Sequence, residues 1–196
     1  MCGEILEHPL AGAVCEHCWS AIVVYAAPAN AIGEYDGVLR NIIHALKYDG
    51  RRSIAPRLAG MMARQGSHVL AGADCVVPVP LHPARERERG FNQADDLARG
   101  LGLPIARVLR RVRSTQPQVE LTAAARRDNV TDAFICTGLG GHKAAPLRRW
   151  GGIVVLIDDV TTTGATLEAC MRVLKAAGAR QVRTLTAARV SPAPRP

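Results

Sequence analysis

The chain has 196 residues, 48% apolar and 21% charged, a globular composition that excludes a disordered, collagen-like or coiled-coil protein. Its 25 basic and 17 acidic residues leave a net charge of +8, which favours a polyanionic partner: nucleic acid, or a small molecule rich in phosphate. No apolar run reaches the roughly 18 residues of a membrane helix, and Met1 to Glu4 has neither the basic nor the apolar region of a secretory signal, so a reducing, cytoplasmic setting is expected.

Residues 1–25 read as a small cysteine-bearing module, and 26–30 as a linker. Residues 30–190 alternate between helical and strand patterns. Residues 38–47 place Leu39, Ile42, Ile43 and Leu46 at helical spacing, and 54–64 continue with Leu58, Met61 and Met62. Residues 74–80 read as a short buried strand ending in prolines. A helix follows over 92–101 and stops at Gly102. The unbroken run Ile153 to Ile157 predicts a central parallel strand covered on both faces. Residues 165–177 predict a helix with Leu167, Cys170, Met171 and Leu174 on one face and Gly178 at the stop. A last strand is expected over 181–190, and a disordered proline-rich tail over 191–196. Strands alternating with helices argue for an α/β fold with a parallel sheet.

The run from Val154 to Leu167 carries the chemistry. A buried strand ends in Asp158 and Asp159; Thr162, Thr163 and Gly164 form a short loop; Ala165 and Thr166 open a helix. Ligands of open α/β sheets bind at the carboxyl ends of strands, and a helix N-terminus attracts anions. The threonine hydroxyls and Gly164 suit a phosphate, and the two carboxylates suit sugar hydroxyls, with Mg2+ as a shared counter-charge. The plainer reading is a strand–helix turn capped by Asp and Thr. The length of the run favours the ligand. It is neither a Walker loop nor a dinucleotide fingerprint.

The same run resembles the phosphoribosyl pyrophosphate (PRPP) signature of type I phosphoribosyltransferases. Val77-Pro78-Val79-Pro80-Leu81, Arg89-Gly90-Phe91-Asn92-Gln93-Ala94, Gln116-Pro117-Gln118 and Arg126-Arg127-Asp128-Asn129-Val130 resemble its ComF branch, associated with competence and DNA utilisation. The resemblance covers nearly the whole chain. It implies a type I phosphoribosyltransferase-like sheet flanked by helices behind the cysteine module. It gives the ribose hydroxyls to Asp158 and Asp159, and the 5′-phosphate to Thr162, Thr163, Gly164, Ala165 and Thr166. Pro80, Leu81, His82 and Arg89 become pyrophosphate candidates. A mobile hood is implied over 115–129, with Gln116, Gln118, Arg126 and Asn129 as its candidates. The implied chemistry is displacement of pyrophosphate from C1 of PRPP by a nitrogen nucleophile, with Mg2+ on the pyrophosphate. Thr162 stands where purine-salvage members carry an aspartate, which disfavours a purine acceptor and leaves no general base at that point.

Arg89 is favoured as a phosphate contact because it opens the R-G-F-N-Q motif; Arg85 and Arg87 read as a solvated face. Lys47 is evenly balanced between ligand contact and helix-end cation. Arg107, Arg110, Arg111 and Arg113 read as solvated, since aromatics to interleave with a nucleic acid are missing nearby. Cys75, Cys136 and Cys170 read as core residues. Cys2 and the Cys15-x-x-Cys18 pair supply three thiolates where structural Zn2+ wants four. The family's C-x-x-C…C-x-x-C would place the missing cysteine before Met1, so either the start lies upstream, or His8 or His17 completes the site, or the module is metal-free. The rival to an enzyme is a non-enzymatic DNA uptake or processing factor, with single-stranded DNA or a helicase-like protein as partner; a PRPP-gated regulator is a third option.

Overall fold

The computed structural model describes residues 14–25, 29–113, 133–137 and 152–191. In chain order they form α1 (Glu16–Ser20), β1 (Ala31–Glu34), α2 (Gly37–Tyr48), a 3-10 turn (Arg52–Ile54), α3 (Ala55–Gln65), α4 (Ser67–Leu70), β2 (Cys75–Pro78), α5 (Pro83–Arg89), α6 (Gln93–Arg99), β3 (Leu109–Arg111), β4 (Phe134–Cys136), β5 (Ile153–Thr161), α7 (Ala165–Ala176) and β6 (Gln181–Arg189). Four strands make a sheet in the order β1-β6-β5-β2. Every pairing in it is parallel. A separate antiparallel pair joins β3 to β4. No helix among the described residues is long and apolar enough to cross a membrane.

The apolar run in β5 is continuous because both its faces are covered. Val155 and Ile157 pack with Leu185, Ala187 and the apolar stripes of α2, α3 and α6. Val154 and Leu156 pack on the other face with Cys75, Val77, α7 and the β3–β4 pair. Side chains alternate along a strand. The acids that follow therefore divide as well, Asp158 toward the α7 side and Asp159 toward the α2–α6 side.

Several boundaries differ from the sequence pattern. The bonding of β2 to β5 extends to Val79, whose N–H still reaches the Ile157 carbonyl, one residue short of the expected end at Pro80. Helix α6 ends at Arg99 with Gly100 as its cap, two residues short of the expected Gly102. Residues 14–25 join the main core: Trp19 and Ile22 are buried in it, Glu16 pairs with Arg57 of α3, and the Tyr25 N–H bonds the Ile32 carbonyl of β1.

Candidate functional site

At the carboxyl ends of β2 and β5 lies a cavity of about 440 Å³. Its floor is the end of β5. One wall is the turn into α7, where Gly164 sits at φ +79° and Thr163 Oγ1 accepts the Ala165 N–H at 3.5 Å. Thr162, Thr163, Ala165 and Thr166 line this wall. The lining also includes Pro80, Leu81 and two arginines of α5, Arg85 and Arg89.

The adjacent acids are held differently. Asp159 is 5% exposed. One of its carboxylate oxygens lies 3.0 Å from Lys47 Nζ, and the other accepts Gln93 Nε2 at 2.9 Å. Asn92 starts α6 by accepting the Ala94 N–H, and its amide donates to the Val79 carbonyl, which fixes Gln93 against the strand. Gln93 Oε1 is buried without a hydrogen bond among the described residues. Asp158 is half-buried, and its Oδ1 accepts the Asp159 N–H at 2.9 Å. Burial, then the neighbouring Asp159 charge, pushes the Asp158 carboxyl up to about 7, against the pull of Lys47 and Arg111. Burial works against the Lys47 charge, but its pairing with Asp159 holds its pKa above the usual lysine value.

The cavity is lined by four cationic side chains, Lys47, Arg85, Arg89 and Arg111, against two carboxylates, so it suits a ligand of net negative charge. Arg111 is buried on β3, with its guanidinium 5.4 Å from the Phe134 ring centre. Arg89 lies over Tyr48 at 5.3 Å.

Of the residues expected from the sequence, Asp158, Asp159, Thr162 to Thr166, Pro80, Leu81 and Arg89 all border this cavity. His82 does not. Its Nδ1 accepts the Ala84 N–H at 3.3 Å and caps α5, ahead of Pro83 in the first turn. The hood candidates Gln116, Gln118, Arg126 and Asn129 lie outside the described residues, as does Cys2. Cys15 and Cys18 are buried at the start of α1, where Cys15 Sγ accepts the Cys18 N–H at 3.4 Å. Among the described residues no two cysteines are joined by a disulfide, and no group of three His, Cys, Asp or Glu residues fit to hold a metal occurs. Arg85 and Arg111, read from the sequence as solvated, instead line the cavity, Arg111 being buried, and Gln93 was named only within its motif. Gln93 had a signal in R-G-F-N-Q; Arg111 had none beyond its basic neighbours.

Residues 87–193 match the phosphoribosyl transferase domain family. The chain is 31% identical to Competence protein F of Haemophilus influenzae over 199 residues, covering 89% of this chain and 84% of that protein. It is 30% identical to DNA utilization protein YhgH of Escherichia coli K12 over 192 residues, covering 93% and 74%. Competence protein ComFC of Streptococcus pneumoniae is 27% identical over 163 residues, covering 81% and 67%. Among solved structures, the allosteric regulatory enzyme of purine biosynthesis aligns with a TM-score of 0.43 and 22% identity, covering 69% of this chain and 26% of that one.

Proposed function

Because the chain belongs to the ComF family of type I phosphoribosyltransferase-like proteins, we propose that its cavity binds PRPP and supports phosphoribosyl transfer. In this reading Asp158 and Asp159 form the ribose end, loop 162–166 takes the 5′-phosphate, and Pro80, Leu81 and Arg89 face the pyrophosphate. One observation carries it: a hydroxyl-rich helix N-terminus, a set of arginines and a pair of carboxylates line one and the same cavity. A molecule with phosphate at both ends and a diol between them has that pattern of groups.

The residues bind and orient more than they exchange protons. A nitrogen nucleophile takes C1 while pyrophosphate leaves with the electrons of the C1–O bond. Charge builds on the departing pyrophosphate, where Arg85, Arg89 and Arg111 supply fixed positive charge at no cost of reorganisation. Thr162 has an ordinary hydroxyl and removes no proton near neutral pH. Mg2+ bound with PRPP would be drawn to the cavity by the Asp158 and Asp159 carboxylates and would offset the leaving-group charge.

The relatives are named for competence and DNA utilization, which favours a role in such processes; the second reading we propose for it is non-enzymatic, with single-stranded DNA or a helicase-like protein as partner. Calorimetry of PRPP with and without Mg2+, on wild type and on Asp158→Asn/Asp159→Asn, separates the two. Mg2+-dependent binding lost in the variant is expected. A folded wild type that binds no PRPP refutes the first reading and leaves the second.

A further inference from the structure

The two acids are not equivalent. Both oxygens of Asp159 are engaged inside the protein, one by Lys47 and one by Gln93, and its side chain is 7% exposed. Asp158 accepts a single backbone N–H on Oδ1, and its Oδ2 makes no hydrogen bond among the described residues. The Lys47 ammonium has three N–H groups and gives one to Asp159; its side chain is 17% exposed, and it lines the cavity. Lys47 also borders an adjoining hollow of about 800 Å³ together with Arg85 and Arg89. It therefore belongs with the cationic side chains of the site, Arg85 and Arg89.

We propose that Asp159 is a positioning residue that, with Gln93, holds the Lys47 ammonium as a contact for the pyrophosphate of PRPP, while Asp158 alone reads the ribose hydroxyls. This rests on the PRPP reading above and assigns a separate task to each half of the acidic pair. A lysine on a flexible stem is a poor anion ligand until something fixes it. Asp159 fixes it, and Gln93 keeps the carboxylate from turning away.

The test compares two probes by calorimetry in Mg2+: PRPP, and ribose 5-phosphate, which keeps the hydroxyls and the 5′-phosphate but lacks the pyrophosphate. Lys47→Met is expected to weaken PRPP about 10- to 100-fold, the worth of a hydrogen bond to a charged group, and so to collapse the preference for PRPP over ribose 5-phosphate. Asp159→Asn shows the same split. Asp158→Asn weakens both probes alike. Asp159→Asn that weakens ribose 5-phosphate as much as Asp158→Asn does makes Asp159 a direct hydroxyl ligand and overturns the proposal. Lys47→Met that affects both probes equally, or neither, does the same. Removing one member of a buried ion pair can unfold its surroundings. The uncharged double variant Lys47→Met/Asp159→Asn covers that case: its PRPP loss should equal that of Lys47→Met alone, and additive losses overturn the coupling. Wild type that binds neither probe removes the PRPP reading and this proposal together. Wild type that binds PRPP with the wrong split removes only the roles of Asp159 and Lys47.

Discussion

Gly100 offers a direct test of how α6 is held in place. A Cβ at this position would lie 2.5 Å from the Cβ of Ala59 on α3. Carbon atoms in contact sit about 3.5–4.0 Å apart, so the two helices would have to separate by about 1 Å or more. The backbone at Gly100 has φ −89°, ordinary for any residue, so the cost of Gly100→Ala is steric alone. Ala59 is fully buried and has no rotamer to change. Helix α6 cannot drift easily either, because Leu97 and Ala98 are fully buried and Arg52 forks onto Asp96 with bonds of 2.7 and 2.8 Å. Overpacking of this kind costs about 1–3 kcal/mol. The stiffer unfolded chain returns about 0.4–1 kcal/mol, so the net loss lies between about 0 and 2.6 kcal/mol, centred near 1. Urea unfolding reads the loss as a lower midpoint at unchanged slope. Gly60→Ala is the control: it lies within α3, and its nearest contact is the tip of Arg64 at 3.7 Å. It should stabilise by about 0.5–1 kcal/mol. The reasoning fails if Gly100→Ala is as stable as wild type while the control behaves as expected.

Two further outcomes follow from the site. When folded, Asp158 keeps its proton up to about 7, against an ordinary 3.8, so between those values the folded protein holds a proton that the unfolded chain has released. Stability of the ligand-free protein in EDTA should therefore fall as pH rises from about 5 to about 7 and level off above, and Asp158→Asn should flatten that slope. Glu16 and Glu34, held below the usual carboxylate range by Arg57 and by Ser191 and Tyr25, contribute in the opposite sense but only below that window. Urea midpoints at several pH values decide it; an identical slope in the variant counts against Asp158 as the source. Gly164→Ala leaves space for its Cβ but forces an L residue to φ +79°, a strain of about 1–2 kcal/mol at the phosphate loop. It should weaken PRPP and ribose 5-phosphate equally, about tenfold, by calorimetry. Unchanged affinity for both would show that the loop plays no part in binding.

The central strand was legible because β5 is apolar on both faces, and α2 because Leu39, Ile42, Ile43 and Leu46 share one stripe. The loop 162–166 was legible because a helix N-terminus after a buried strand is written locally. What stayed hidden depends on partners distant in the chain. Lys47 ends one helix, and nothing near it announces Asp159. Arg111 sits in a run of exposed arginines, yet pairing of β3 with β4 buries it against Phe134. Residues 14–25 lack periodicity, so nothing in their own pattern signals that Trp19 and Ile22 seat in the main core. His82 misled by position: it follows a strand, but Pro83 behind it marks a helix start, and a residue before such a proline serves as the cap.

Consecutive residues on an extended strand face opposite ways, so the side chains of Asp158 and Asp159 belong to different layers of the molecule while their α-carbons are joined by a single peptide unit. Their spacing is thus set by covalent geometry and does not depend on how either layer packs. Helices on one side can shift without changing the distance between the two α-carbons. Lys47 and Gln93 on one face can therefore rearrange around Asp159 while the backbone of Asp158 stays where the strand puts it.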